Sequence, residues 1–177
     1  MLSSILSKSD CAQCKFCCSF KRTSLWETPV FEKELVQKLC VLYPQVKFVP
    51  SATGNSFTYD ISSQYKTDDP AEEAPCPFLD THKGCILPPE DKPFDCKIWP
   101  LRAVRPPSEQ ETTLQTEKLA VALTPTCPAI NKQPLQKVRD LAASGLGKAI
   151  LDYAQEHPDI IKDYSEFLST IVYSQES

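Results

Sequence analysis

Cysteine is the residue type in this chain whose number and spacing invite chemistry. Cys11-Ala-Gln-Cys14-Lys-Phe-Cys17-Cys18 puts four thiols within eight residues, and Cys76, Cys85, Cys96 and Cys127 follow in a looser series. Thiolates are soft ligands that suit zinc and iron–sulfur clusters alike. Three cysteines at C-x2-C-x2-C can present sulfur from one tight turn to a single centre, a known opening for an iron–sulfur cluster. The bacterial ferredoxin run continues with x3-C-P, whereas here a second cysteine follows at once, so the motif is not a ferredoxin's. Adjacent residues direct their side chains apart, by about 100° on a helix and to opposite faces on a strand. Cys17 and Cys18 are therefore expected to serve different centres or to bridge two nearby metals. Eight thiols divide naturally into two four-thiolate sites, and spacing alone does not say which four belong together.

Other uses of the cysteines fit less well. A disulfide scaffold needs an oxidising compartment, and residues 1–10 carry neither a basic start nor a sustained apolar run of the secretory kind. Vicinal thiols suit separate partners better than one bridge, and a chain of this length can build a core without staples. Cys11-x-x-Cys14 and Cys14-x-x-Cys17 overlap as redox-type motifs, but no strand precedes them and no βαβ unit surrounds them. With only four glycines, at 54, 84, 145 and 147, neither a dinucleotide-binding fingerprint nor a phosphate loop can be written. No HExxH or GxSxG occurs, so catalysis would have to come through metal.

The elements that must position these thiols are legible in outline. The sequence of 177 residues predicts one domain with at most a small appendage, and its sixteen prolines predict many rigid turns. No window approaches the ~20 apolar residues of a membrane helix. A formal net charge of −4 argues against nucleic acid or an anionic membrane as partner. Ser19 to Glu27 reads as loop or extended chain. Thr28-Pro29 reads as a helix start, with the helix running to about Tyr43. Cys40 then falls on its apolar face as a small buried hydrophobe rather than a ligand.

Val46 to Val49 and Phe57 to Ile61 read as strands joined near Gly54-Asn55. The acidic, proline-broken stretch 67–75 reads as a solvated loop. Phe78-Leu79 and Cys85 to Leu87 flank a turn at Gly84, a hairpin with two cysteines near its ends and His82 exposed in the turn. Leu101 to Val104 reads as a strand and 106–116 as a loop. Leu119, Val121 and Leu123 alternate as in a half-buried strand that delivers Cys127-Pro128 into a turn. From Pro134 the pattern turns helical, with segments from 134 to a stop at Ser144-Gly145, from Leu146 to His157, and from Pro158 to about Tyr173. His157 reads as structural.

These residues resemble the CxxCxxCC, or YkgJ-like, proteins, described as zinc- or iron-chelating. The correspondence runs through Cys11, Cys14, Cys17 and Cys18; Cys76-Pro-Phe-Leu79; Cys85-Ile-Leu87; Lys92-Pro-Phe-Asp-Cys96 with Trp99-Pro100; and Cys127-Pro128. It covers about residues 11 to 130. Lys92 stands where arginine is usual, Leu87 where an aromatic is common, and Ala129 where glycine often follows. The resemblance implies metal binding more firmly than a reaction, although some relatives resemble flagellin lysine N-methylases.

The expectation is an α+β fold, a small irregular antiparallel β core around the cysteines with one preceding helix and a helical C-terminal segment. The metal-binding domain is expected over 1–132, with the helical segment, 133–177, packed on it. All eight cysteines are expected to ligate, forming one or two centres of the 4Fe-4S type ahead of Zn2+, in a cytoplasmic protein with a redox or accessory role. Two alternatives stand beside it. One is a structural zinc module that meets a protein partner through its C-terminal helices; the other is a metal-dependent enzyme that modifies protein or peptide.

Overall fold

The computed structural model describes Cys14 and residues 16–106, 118–124, 126–128, 130–164 and 169–174. Cys11, most of the loop expected over 106–116, and Phe167 and Leu168 of the last expected helix lie outside the described residues. The fold is α+β, and the chain forms two compact units, Lys8–Lys97 and Ile98–Ser177. The division thus falls inside the span expected to form a single cysteine-bearing domain.

The first unit is built from short ladders packed on one helix. A single 3-10 turn, Phe16–Cys18, hands the chain to β1 (Ser19–Lys21). A 3-10 stretch, Arg22–Glu27, and α1 (Lys33–Leu42) follow. Next come β2 (Phe48–Pro50), β3 (Phe57–Tyr59), β4 (Glu73–Pro75), β5 (Leu79–Asp80) and β6 (Gly84–Cys85). β1 pairs with β4, β2 with β3, and β5 with β6, all antiparallel. Gly54 in the β2–β3 turn takes φ 77° and Gly84, where β6 begins after the β5–β6 turn, takes φ 79°, left-handed positions that favour glycine. Both hairpins stand where turn chemistry had put them.

The core of this unit is aromatic. Phe31, 1% exposed, is its hub. Its ring meets Phe48 at 5.2 Å, Tyr59 at 5.8 Å and Phe78 at 6.3 Å between centroids, edge-to-face or tilted as ring quadrupoles prefer. Its backbone bridges to Phe57, and Phe20, Leu39, Val46, Ile61 and Ala74 fill the remainder.

Three expectations fail here for local reasons. The helix starts at Lys33, not at Pro29: the Thr28 hydroxyl donates backward to the Leu25 carbonyl, and the Val30 N–H is taken by Asp95. Cys40 is exposed rather than buried. At 100° per residue it lies about 85° round the helix from the mean direction of Leu35, Val36, Leu39 and Tyr43, at the stripe's edge. The acidic stretch is only partly a loop, since Glu73–Pro75 is β4 and Glu72 accepts the backbone N–H groups of Lys66 and Thr67.

α2 (Phe94–Ile98) spans the boundary, its residues up to Lys97 ending the first unit's sequence. The second unit is a four-stranded sheet with a helical layer. β7 (Leu101–Arg105), β8 (Ala120–Leu123), β9 (Lys162–Asp163) and β10 (Thr170–Ser174) stand in the order β10-β8-β7-β9, with only β9 parallel to its neighbour. β8 is buried at every position, so the half-buried strand inferred from its alternation is a fully buried one. Its neighbours β10 and β7 satisfy both of its edges, and the helix Gly147–Glu156 packs against it.

α3 (Leu135–Leu141), a π turn over Ala142–Leu146 and α4 (Gly147–Glu156) form the helical layer, and α4 lies against β7 and β8. Ser144-Gly145 breaks the helix as expected: both residues leave helical backbone angles, Gly145 at φ 109°, and a new helix starts at Gly147. The last expected helix is instead a 3-10 turn, Pro158–Ile160, followed by β9 and β10. Ile171 and Val172 are β-branched residues that pack well on a pleated surface, and β8 had an unpaired edge for them to cover. Among the described residues no helix is long and apolar enough to cross a membrane.

Candidate metal centre

Two ladders and a short helix bring thiols together in the first unit. β1 pairs with β4 through Ser19↔Pro75, and the ladder extends one residue past the strands, where the Cys76 N–H donates to the Cys18 carbonyl at 2.8 Å. This backbone bond ties the N-terminal cysteine run to the next cysteine, more than fifty residues on. From Cys76 the chain enters the β5–β6 hairpin, whose Leu79↔Cys85 pairing returns a third thiol. The hairpin turn is fixed by Asp80, whose carboxylate accepts the N–H groups of His82 at 2.8 Å and Lys83 at 2.7 Å. Pro93 opens α2, and the Cys96 N–H donates to the Pro93 carbonyl at 3.0 Å. The neighbouring carboxylate of Asp95, 2% exposed, reaches back to the Val30 N–H at 3.0 Å and anchors that helix to the segment before α1.

The Cys17 and Cys18 sulfurs stand 4.0 Å apart, whereas vicinal side chains had been expected to diverge. Cys18 ends the 3-10 turn and passes directly into β1, so the regular offset of a helix or strand does not hold across this junction. Cys18 also hydrogen-bonds Cys76. The shared proton pushes the Cys18 thiol far up, through Cys17 first and Cys76 next. The same pairing lowers Cys76 to about 7, with the Phe78 N–H and Tyr59 adding to the effect.

Cys85 is raised by burial, with Lys92 pulling against it and the charges of Cys76 and Cys17 adding. Cys96 is exposed as a residue, yet the protein around its thiol raises it well above the ordinary value, through burial first and then Cys76, Asp95, Cys17 and Cys85. Residue exposure decides what reagent can reach Cys96; the crowding decides its ionisation. Each of Cys17, Cys18, Cys76, Cys85 and Cys96 thus lies within electrostatic reach of at least two of the others.

Beneath them sits a tyrosine that the sequence had not singled out. Tyr59 is 2% exposed, and its hydroxyl has no partner at ordinary hydrogen-bond geometry among the described residues. It nevertheless lies close enough to Cys76 for each to act on the other's ionisation. Burial and the Cys76 and Cys96 charges raise the Tyr59 hydroxyl. Alternation along 57–61 puts Phe57, Tyr59 and Ile61 on one face, and a tyrosine on a core face calls for a hydroxyl partner. That was the available signal.

The remaining expected ligands are placed as follows. Cys14 is half-buried in the first unit, and Cys127 is buried in the second. His82 is exposed in its hairpin turn. Cys14, Cys18, Cys40, Cys76, Cys85 and Cys96 form no disulfide. Among the described residues, no three His, Cys, Asp or Glu side chains stand together as a ready metal-ligand set. The donor chemistry, five thiols that act on one another's ionisation in the first unit, is of the soft kind that zinc and iron–sulfur clusters take. Comparison with family models, with curated proteins and with solved structures finds no match to this chain.

Proposed function

We propose that this protein holds a cysteine-ligated metal centre in its first unit, an iron–sulfur cluster of the 4Fe-4S type ahead of zinc. The observation that carries the reading is the convergence of Cys17, Cys18, Cys76, Cys85 and Cys96 on one region from four separate stretches of chain. Packing thiols together without a ligand is unfavourable, because each thiolate raises the next; a soft cation reverses that sign and makes the cluster a gain. The C-x2-C-x2-C run, with Cys14 and Cys17 at its end, is the iron–sulfur element. An iron–sulfur cluster would supply one-electron transfer, which is the redox or accessory role proposed. The reading places the protein in the cytoplasm, where thiols stay reduced. Ligation by Cys11 and by Cys127 rests on cysteine count and spacing and on the sequence resemblance.

One distance favours the second reading, a structural zinc site in an interaction module. Bonds of ~2.3 Å at tetrahedral angles put two sulfurs on one zinc about 3.8 Å apart, and the Cys17–Cys18 pair stands at 4.0 Å. In that case the C-terminal helices α3 and α4 are the surface offered to a protein partner.

Anaerobic purification with iron, zinc and acid-labile sulfide analysis separates the two. Brown protein with iron and sulfide supports the cluster, colourless protein with stoichiometric zinc supports the module, and absence of both metals defeats the proposal.

A further inference from the structure

The Tyr59 hydroxyl is the least economical polar group in the first unit. Its ring packs edge-on to Phe20 at 5.9 Å and to Phe31 at 5.8 Å, contacts that phenylalanine would make equally well. Its oxygen is buried with no partner at ordinary geometry among the described residues, a condition that native structures avoid unless the group has another use. Cys76, which the backbone already ties to Cys18, packs against the same core cluster as Tyr59. A metal-bound thiolate keeps lone pairs free to accept hydrogen bonds, and such outer partners orient a ligand and tune its metal.

We propose that Tyr59 is a positioning residue for the metal centre, its hydroxyl donating to the metal-bound Cys76 thiolate. The inference rests on the metal-binding reading above. It explains why a tyrosine occupies a site whose packing asks only for a phenyl ring.

Tyr65 provides the control. Its hydroxyl donates to the Phe20 carbonyl at 2.9 Å, an ordinary structural bond. Full-length wild type, Tyr59→Phe and Tyr65→Phe are compared by anaerobic Co2+ titration against a competing chelator and by thermal unfolding without metal. Tyr59→Phe is expected to bind Co2+ about 10-fold more weakly or worse, with a metal-free midpoint equal to wild type or higher. Tyr65→Phe is expected to lower the metal-free midpoint and leave Co2+ affinity unchanged. Tyr59→Phe binding as wild type does, or losing metal-free stability as Tyr65→Phe does, overturns the assignment. Wild type that binds no Co2+ overturns the metal-binding reading and this one with it, so the two failures are told apart by the wild-type titration.

Discussion

Replacing Phe31 by alanine removes the ring around which the first unit is assembled. The ring is 1% exposed and touches three other aromatic rings, including Tyr59 and Phe78. Deleting a fully buried phenyl costs about 3–5 kcal/mol in lost transfer energy and residual cavity. Each aromatic pair is worth roughly 0.5–1.5 kcal/mol beyond burial, which places this site toward the upper end, near 4–5 kcal/mol. Domains are stable by only about 5–15 kcal/mol, so Phe31→Ala should leave the first unit barely folded without metal. Bound metal opposes the loss: at 1,000 times Kd it contributes about 4.1 kcal/mol. Metal-saturated Phe31→Ala should therefore recover nearly the stability of the metal-free wild type.

The assay is hydrogen exchange against urea, read by mass spectrometry on peptides covering 31–61, because the two units need not unfold together. A loss below about 2 kcal/mol would show that Phe31 is not the hub. An unchanged urea midpoint on adding metal would refute the link between this core and the thiols above it.

Cys76→Ser should abolish or sharply reduce bound metal, whereas Cys40→Ser, at an exposed helical position, should leave metal content unchanged; metal analysis of the two variants checks both. Gly147→Ala should destabilise the second unit by about 1–3 kcal/mol, since an added Cβ would strike the Tyr173 ring near its root and approach the Ala142 carbonyl at 3.0 Å. The ~1 kcal/mol gain in helix propensity does not offset the clash, and denaturation midpoints decide it. The Asp80 carboxyl is held below its usual range, chiefly by the Lys83 N–H and then by the His82 N–H. Its contribution to stability is complete above the unfolded carboxyl pKa and lost as pH falls through the lower folded value. The stability difference between wild type and Asp80→Ala should shrink on acidification; a gap that widens contradicts this.

Features set by local chemistry were legible in the sequence. The hairpin over 79–85 follows from the turn at Gly84, and the 48–59 hairpin from Gly54. Long-range pairing was not legible. Nothing local in Glu73-Ala-Pro75 says that it pairs with Ser19-Phe-Lys21, yet that ladder seats Cys76 beside Cys18. Asp95 taking the Val30 N–H was equally hidden, and it displaced the helix start that Thr28-Pro29 advertised. The stretch 158–173 misled because Ile160, Ile161, Tyr164 and Ile171 satisfy a helical stripe, whereas β9 and β10 complete the sheet on either side of the β7–β8 pair. Cysteine spacing found the thiols and missed Tyr59, whose role depends on which side chain its hydroxyl faces.

Thiol protection in the metal-loaded protein bears on the ligand set most directly. Brief anaerobic alkylation followed by mass spectrometry should find Cys17, Cys18, Cys76, Cys85 and Cys96 unmodified and Cys40 labelled, with the five becoming reactive once a chelator strips the metal. Alkylation of Cys18, Cys76 and Cys96 as readily as Cys40 while metal remains bound would contradict the account.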